Sequence, residues 1–184
     1  MKKIVRAIDP SLHYKRRLRP SSLLVCQVER EGKLYVLKTT EMGYENEPGY
    51  EEVVEHLRAE EELLNLARGV PGITHLVAAY RETEKHNRAI LKEFYDGKTL
   101  EETEKLITNT RSQKKLEDTI YELHSLGISR LDLCRTSNIV ISPDGEDACL
   151  VDLGHGKLAD RISSHEFKMY KEADLTIIRR YFSK

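Results

Sequence analysis

The first half of the chain reads as sheet with one helix set into it. Apolar and β-branched residues cluster over Ser22–Gln27 and again over Lys33–Thr39, with Glu31-Gly32 between them, a pattern that predicts a β-hairpin. Met42–Tyr50, with Gly43, Pro48 and Gly49, reads as a loop. From Glu51 to Arg68 the period becomes helical, with Val53, Val54, Leu57, Leu64 and Ala67 on one face. Gly69-Val70-Pro71-Gly72 ends that helix, because proline lacks the N–H donor and glycine loosens the backbone. Ile73–Tyr80 and Arg88–Phe94 follow as strands on either side of the polar turn Glu82–Asn87.

After a break at Asp96-Gly97 the pattern changes. Leu100–Ile107 and Leu116–Leu126 have helical spacing, the second closed by Gly127. Two short β-branched runs, Asn138–Ile141 and Cys149–Asp152, flank the turn signal Ser142-Pro143-Asp144-Gly145, and residues 165–182 return to a helical pattern. The predicted order is a strand pair, a helix, a strand pair, then helices around one small hairpin. That is an α+β chain in which a sheet lobe precedes a helical lobe.

Composition narrows the function. The chain has 184 residues, 39% of them hydrophobic, enough for one domain or two small lobes with a packed core. Thirty Lys plus Arg against 31 Asp plus Glu leave a net charge of −1, which argues against a protein built to neutralise nucleic-acid phosphates. No apolar run is long enough to cross a bilayer. Cys26, Cys134 and Cys149 are odd in number and widely spaced, suggesting neither a disulfide framework nor a zinc knuckle, and a reduced, cytoplasmic protein is expected. Charge is unevenly spread. Residues 1–20 hold Lys2, Lys3, Arg6, Lys15, Arg16, Arg17 and Arg19 against Asp9 alone, while residues 41–65 hold nine acids against Arg58. The basic stretch reads as a solvated edge, and the two segments have the charges to face each other.

Certain residues stand out against this background. Lys38 ends the apolar run Tyr35-Val36-Leu37 and shares a face with Val36. Glu60 lies about one helical turn from both Leu57 and Leu64, on the apolar face, where a carboxylate needs a cation; Glu61 competes for the same role. Asp132 and Asn138 lie in the loop after Gly127, and Asp152 opens Asp152-Leu153-Gly154 after the next strand. Two acids and an amide at the ends of a hairpin form a plausible site for a hard cation such as Mg²⁺. His124 reads as a packed or capping histidine, His155 lacks the spacing of a zinc site, and Cys134 reads as a passive side chain. Lys92 is odd where an apolar pocket wall is typical.

Taken in order, these features resemble the eukaryotic-type protein-kinase-like family. Tyr35-Val36-Leu37-Lys38 is similar to its lysine strand, Glu60 to its helix glutamate, and Leu91-Lys92-Glu93-Phe94-Tyr95-Asp96-Gly97 to the hinge between lobes. Leu123-His124-Ser125-Leu126-Gly127-Ile128, Asp132-Leu133 and Ser137-Asn138-Ile139-Val140-Ile141 resemble its helix and catalytic loop. Leu150-Val151-Asp152-Leu153-Gly154 resembles the D-F-G metal motif, and Ala173-Asp174-Leu175 an acidic helix start farther along. The resemblance implies a two-lobed fold: a basic segment 1–20, a small β-sheet lobe with one helix over 21–95, and a reduced, mostly helical lobe over 96–184. It implies an ATP- and Mg²⁺-dependent phosphotransferase acting on a protein Ser/Thr or a small-molecule alcohol. Lys38, oriented by Glu60, would hold the α- and β-phosphates, and Glu93, Phe94 and Tyr95 would receive the adenine. Asn138 and Asp152 would hold the metal, and Asp132 would orient or deprotonate the acceptor hydroxyl.

The chain also departs from that pattern. Residues 1–32 contain one glycine, Gly32, where the family expects G-x-G-x-x-G, and H-R-D becomes Arg130-Leu131-Asp132. Asp132 and Asn138 are six positions apart rather than the usual five, and no A-P-E follows Asp152. These departures keep a second reading open, a pseudokinase that binds or regulates without turnover. Nucleic acid and membrane are not expected partners.

Overall fold

The computed structural model describes residues 1–19, 23–40, 49–81, 88–103 and 110–182. The chain is α+β, and it divides into two compact units: Met1–Glu62 with His75–Phe94, and Leu63–Thr74 with Tyr95–Lys184.

The first unit is built on a five-stranded antiparallel sheet in the order β1-β2-β3-β5-β4. Its strands are β1 (His13–Arg19), β2 (Leu23–Arg30), β3 (Lys33–Thr40), β4 (Leu76–Tyr80) and β5 (Ala89–Glu93). The expected hairpin is β2–β3. Arg30 pairs with Lys33 across a two-residue turn in which Glu31 and Gly32 have φ of 54° and 77°. Positive φ at both central positions matches the right-handed twist of the strands, and glycine adopts it without steric cost.

Two elements of this unit escaped the sequence reading. Residues Lys2–Ile8 form helix α1, and β1 is an edge strand paired with β2. Lys2, Lys3, Arg6, Lys15, Arg16 and Arg17 remain exposed, but Val5, Ile8 and Leu12 are buried in one cluster with Leu24, Cys26, Val28, Tyr35, Leu37, Ala89 and Leu91. Dense charge hides three core positions from a reading based on composition. Lys15 Nζ lies 2.6 Å from Glu29, on the neighbouring strand, and residues 41–48 of the acidic stretch that this basic one is expected to face lie outside the described residues.

Side chains alternate across a strand. Tyr35 and Leu37 therefore face the α1 cluster, and Val36 and Lys38 face the other way. On that second face lies helix α2 (Tyr50–Leu66), which buries Val54, Leu57 and Glu60. The expected loop over Met42–Tyr50 and turn over Glu82–Asn87 fall almost entirely outside the described residues.

The second unit contains helix α3 (Thr110–Ser125) packed on helix α4 (Ser164–Phe182), with short strands beside them. β6 (Lys98–Thr99), β8 (Ile139–Ile141) and β9 (Ala148–Leu150) form one small sheet, and β7 (Ile128–Ser129) pairs with β10 (Lys157–Leu158). α3 begins six residues before the predicted Leu116, because its first turns carry polar side chains that show no apolar period; Ser112 there is buried and donates to Gly145 O at 2.8 Å. α4 starts at a capping box. Ser163 N donates to Glu166 Oε2 at 3.0 Å and Glu166 N donates to Ser163 Oγ at 3.2 Å.

The apolar run Ile73–Tyr80 is not one strand. Ile73 forms a parallel bridge with Leu150, and Thr74 N donates to Leu150 O at 3.1 Å, whereas β4 begins at Leu76 and pairs with β5. A short apolar run signals burial but does not say which sheet takes its hydrogen bonds. Of the helix expected over Leu100–Ile107, the described part is a turn in which Thr99 and Glu102 form a capping box, and residues 104–107 lie outside the description.

Candidate functional site

In the first unit the decisive group is Glu60, with no exposed surface. Lys38 Nζ donates to its Oε2 at 2.6 Å, and Lys92 Nζ donates to its Oε1 at 2.5 Å. Glu60 rather than Glu61 takes Lys38; Glu61 pairs with Arg88. The two candidates are one residue apart, about 100° around the helix, so only the packing of α2 on the sheet separates them. The strand register places the lysines. β3 pairs with β5 so that Val36 faces Lys92 and Lys38 faces Ile90. All four side chains therefore share one face, and the two lysines are diagonal neighbours on it. Like charges so placed in a buried layer repel, and the Glu60 carboxylate between them offsets that repulsion with one oxygen for each. Lys92, odd in the sequence, thus has a partner.

The hinge-like residues lie where the chain leaves the first unit, Phe94 in that unit and Tyr95 in the second. Glu93 N donates to His75 O at 3.0 Å, and the Glu93 side chain lies 3.6 Å from Lys33 Nζ. Phe94 and Tyr95 are half-buried. Burial, with Asp147 and Cys149 nearby, pushes the Tyr95 phenol up to about 12 against the opposing effect of a hydrogen bond with Ser142.

In the second unit the loop after β7 holds Asp132 and Asn138. Arg130 and Asp132 have φ of 57° and 52°, a region that side-chain-bearing residues rarely adopt and that costs about 1–3 kcal/mol each. The loop is held by its surroundings. Leu131 N donates to Asp174 Oδ1 at 3.0 Å, and Asp174 Oδ2 lies 3.0 Å from His124 Nε2. Tyr181 Oη donates to Leu133 O at 3.2 Å. His124 is a buried partner of Asp174, in line with its expected bland role, whereas nothing in the local sequence marks Asp174 or Tyr181 as contacts of this loop.

Asp132 Oδ2 lies 3.1 Å from Arg135 Nε and 3.7 Å from His155 Nε2, yet makes no hydrogen bond of good geometry. Its Oδ1 accepts from Cys134 Sγ at 3.2 Å. That contact, with burial and the carboxylate charge, raises the Cys134 thiol above its ordinary value. The six-residue spacing to Asn138 is closed by a 3₁₀ turn over Thr136–Asn138, and Asn138 Nδ2 donates back to Asp132 O at 3.2 Å. Asn138 is 2% exposed, and its Oδ1 is buried without a hydrogen-bond partner among the described residues. Its carbonyl accepts from Val151 N at 3.0 Å, which ties it to the residue before Asp152. Asp152 is buried, and its Oδ1 accepts from Gly154 N at 3.1 Å.

No protein-family model matches the chain, and no curated protein is similar to it. The site is therefore read from its own chemistry. Among the described residues, no helix is long and apolar enough to cross a membrane.

Proposed function

We propose that the protein is an ATP-dependent phosphotransferase of the protein-kinase-like class, two-lobed and compact, moving the γ-phosphate of ATP to a hydroxyl of a protein Ser/Thr or a small-molecule alcohol. The observation that carries this reading is the buried Lys38–Glu60 pair. Desolvating two charges costs several kcal/mol per ion, roughly what their attraction returns, so a buried ion pair is a poor device for stability. It is a good device for holding an ammonium in one place, which phosphate binding requires.

The residues of the second unit support the same chemistry. The Asn138 amide oxygen, without a hydrogen-bond partner among the described residues, belongs to a residue whose carbonyl is bonded to Val151 N beside the buried carboxylate of Asp152, and together they offer the hard oxygen ligands that Mg²⁺ prefers. Asn138 and Asp152 would hold the metal, which would neutralise phosphate charge when bound. Lys38 would bind the α- and β-phosphate oxygens. Asp132 would orient the acceptor hydroxyl and take its proton. Glu93 N–H is already given to His75 O, which leaves the Glu93 carbonyl and the backbone of Phe94 and Tyr95 to read the adenine edge.

The test is transfer of labelled phosphate from ATP with Mg²⁺ to a degenerate Ser/Thr peptide library and a panel of alcohols. Wild type is expected to label at least one acceptor, with Lys38→Met and Asp152→Ala at background. Failure of wild type both to bind Mg·ATP and to exceed Asp152→Ala with any acceptor would overturn the reading. Mg·ATP binding without transfer would instead favour the regulatory, non-catalytic alternative, which the absence of any glycine before Gly32 also motivates.

A further inference from the structure

Glu60 has two oxygens and each is held by a different lysine. A glutamate on a helix can swing its carboxylate among staggered rotamers, and a single ion pair with Lys38 would travel with it. Lys92 removes that freedom. Its Cα is anchored in the interior of the sheet, opposite Val36 on β3 and Leu76 on β4, and its side chain is 2% exposed. The carboxylate is therefore gripped from one strand at Oε1 while it grips a side chain of the next strand at Oε2.

We infer that Lys92 is a positioning residue: by holding Glu60 Oε1 on the buried face of the sheet, it fixes where Lys38 Nζ stands and so sets the affinity of the site for the phosphates of ATP. The inference rests on the phosphotransferase reading for its ligand, but not for its geometry.

The experiment measures Mg·ATP affinity by calorimetry and ligand-free melting temperature for the full chain and its variants Lys92→Met, Lys92→Arg and Lys38→Met. Lys92→Met is expected to weaken Mg·ATP roughly 10- to 100-fold, the scale on which residues that orient a ligating group act. The weakening should persist when binding is measured well below the melting temperature of the variant, and Lys92→Arg, which returns a cation to Glu60 Oε1, should recover most of the affinity. Unchanged Mg·ATP affinity in Lys92→Met, alongside lost binding in Lys38→Met, would overturn the inference and leave the phosphotransferase reading standing. Wild-type protein that binds no Mg·ATP would overturn the nucleotide reading and, with it, this role for Lys92.

Discussion

Replacing Asp174 with alanine is the sharpest test of how the loop through Arg130, Leu131 and Asp132 is held. Asp174 is 3% exposed and uses both carboxylate oxygens, one for Leu131 N and one for His124 Nε2, each at 3.0 Å. A buried hydrogen bond to a charged acceptor contributes about 1.5–3 kcal/mol, and stranding a buried polar partner costs roughly 1–3 kcal/mol. The two losses together come to about 3–5 kcal/mol, the usual cost of breaking a buried pair by removing one member. For a chain of this size each kcal/mol is worth about 2–4 °C, so Asp174→Ala should melt roughly 6–20 °C lower in a thermal scan. Asp174→Asn keeps an acceptor for Leu131 N and should lose less. Function should suffer even below the melting transition. Leu131 sits between Arg130 and Asp132, both at positive φ, and its N–H is an anchor that keeps that unfavourable backbone in place. Freed of it, the loop relaxes and Asp132 moves, and under the proposed phosphotransferase function labelled-phosphate transfer measured 20 °C below the melting point of the variant should fall about 10- to 100-fold, the scale on which misplacing a reacting group acts. A variant that melts within about 2 °C of wild type would refute the energetic reasoning, since that shift is worth only ~1 kcal/mol or less.

Further predictions rest on single contacts. A Cβ added at Gly97 would lie 2.1 Å from Ile141 O and 2.9 Å from Ile141 C, so Gly97→Ala must push apart the backbone where β6 pairs with β8 and should cost about 1–3 kcal/mol in denaturant unfolding. An unchanged unfolding midpoint would show that the segment yields freely. Cys134 is exposed, but its hydrogen bond to the Asp132 carboxylate raises the thiol, so less thiolate forms at a given pH. Iodoacetamide at pH 8 should therefore modify Cys134 more slowly than a free model thiol, and Asp132→Asn should speed it by withdrawing the negative charge. Equal rates in the two proteins would remove Asp132 as the cause.

Local pattern read well wherever a residue's own neighbours in the chain decide its conformation. The Glu31-Gly32 turn, the amphipathic run that became α2, and the turn between β8 and β9 all follow from side-chain period and turn chemistry. The chemically notable residues Lys38, Glu60, Asp132, Asn138 and Asp152 were likewise nominated by type and spacing. Pattern fails in the basic stretch at the start, where charge density masks Val5, Ile8 and Leu12, and in the run Ile73–Tyr80, which is not one strand: Ile73 bridges to Leu150 while Leu76–Tyr80 pairs with β5.

What the sequence determined by itself, then, is which face of each element is apolar and which polar residues lie on it, because those are matters of period along one segment. Which polar residue meets which was decided by tertiary structure. Glu60 outcompetes Glu61 for Lys38 only because of how α2 rolls on the sheet, and Lys92 reaches Glu60 only because β3 and β5 pair in one register, in which Val36 stands opposite Lys92. Asp174 meets Leu131 across 43 residues of chain through the packing of α4 on β7 and α3. Partner choice depends on strand register and helix rotation, and both are set by burying many apolar side chains together, a sum that no short window of sequence contains.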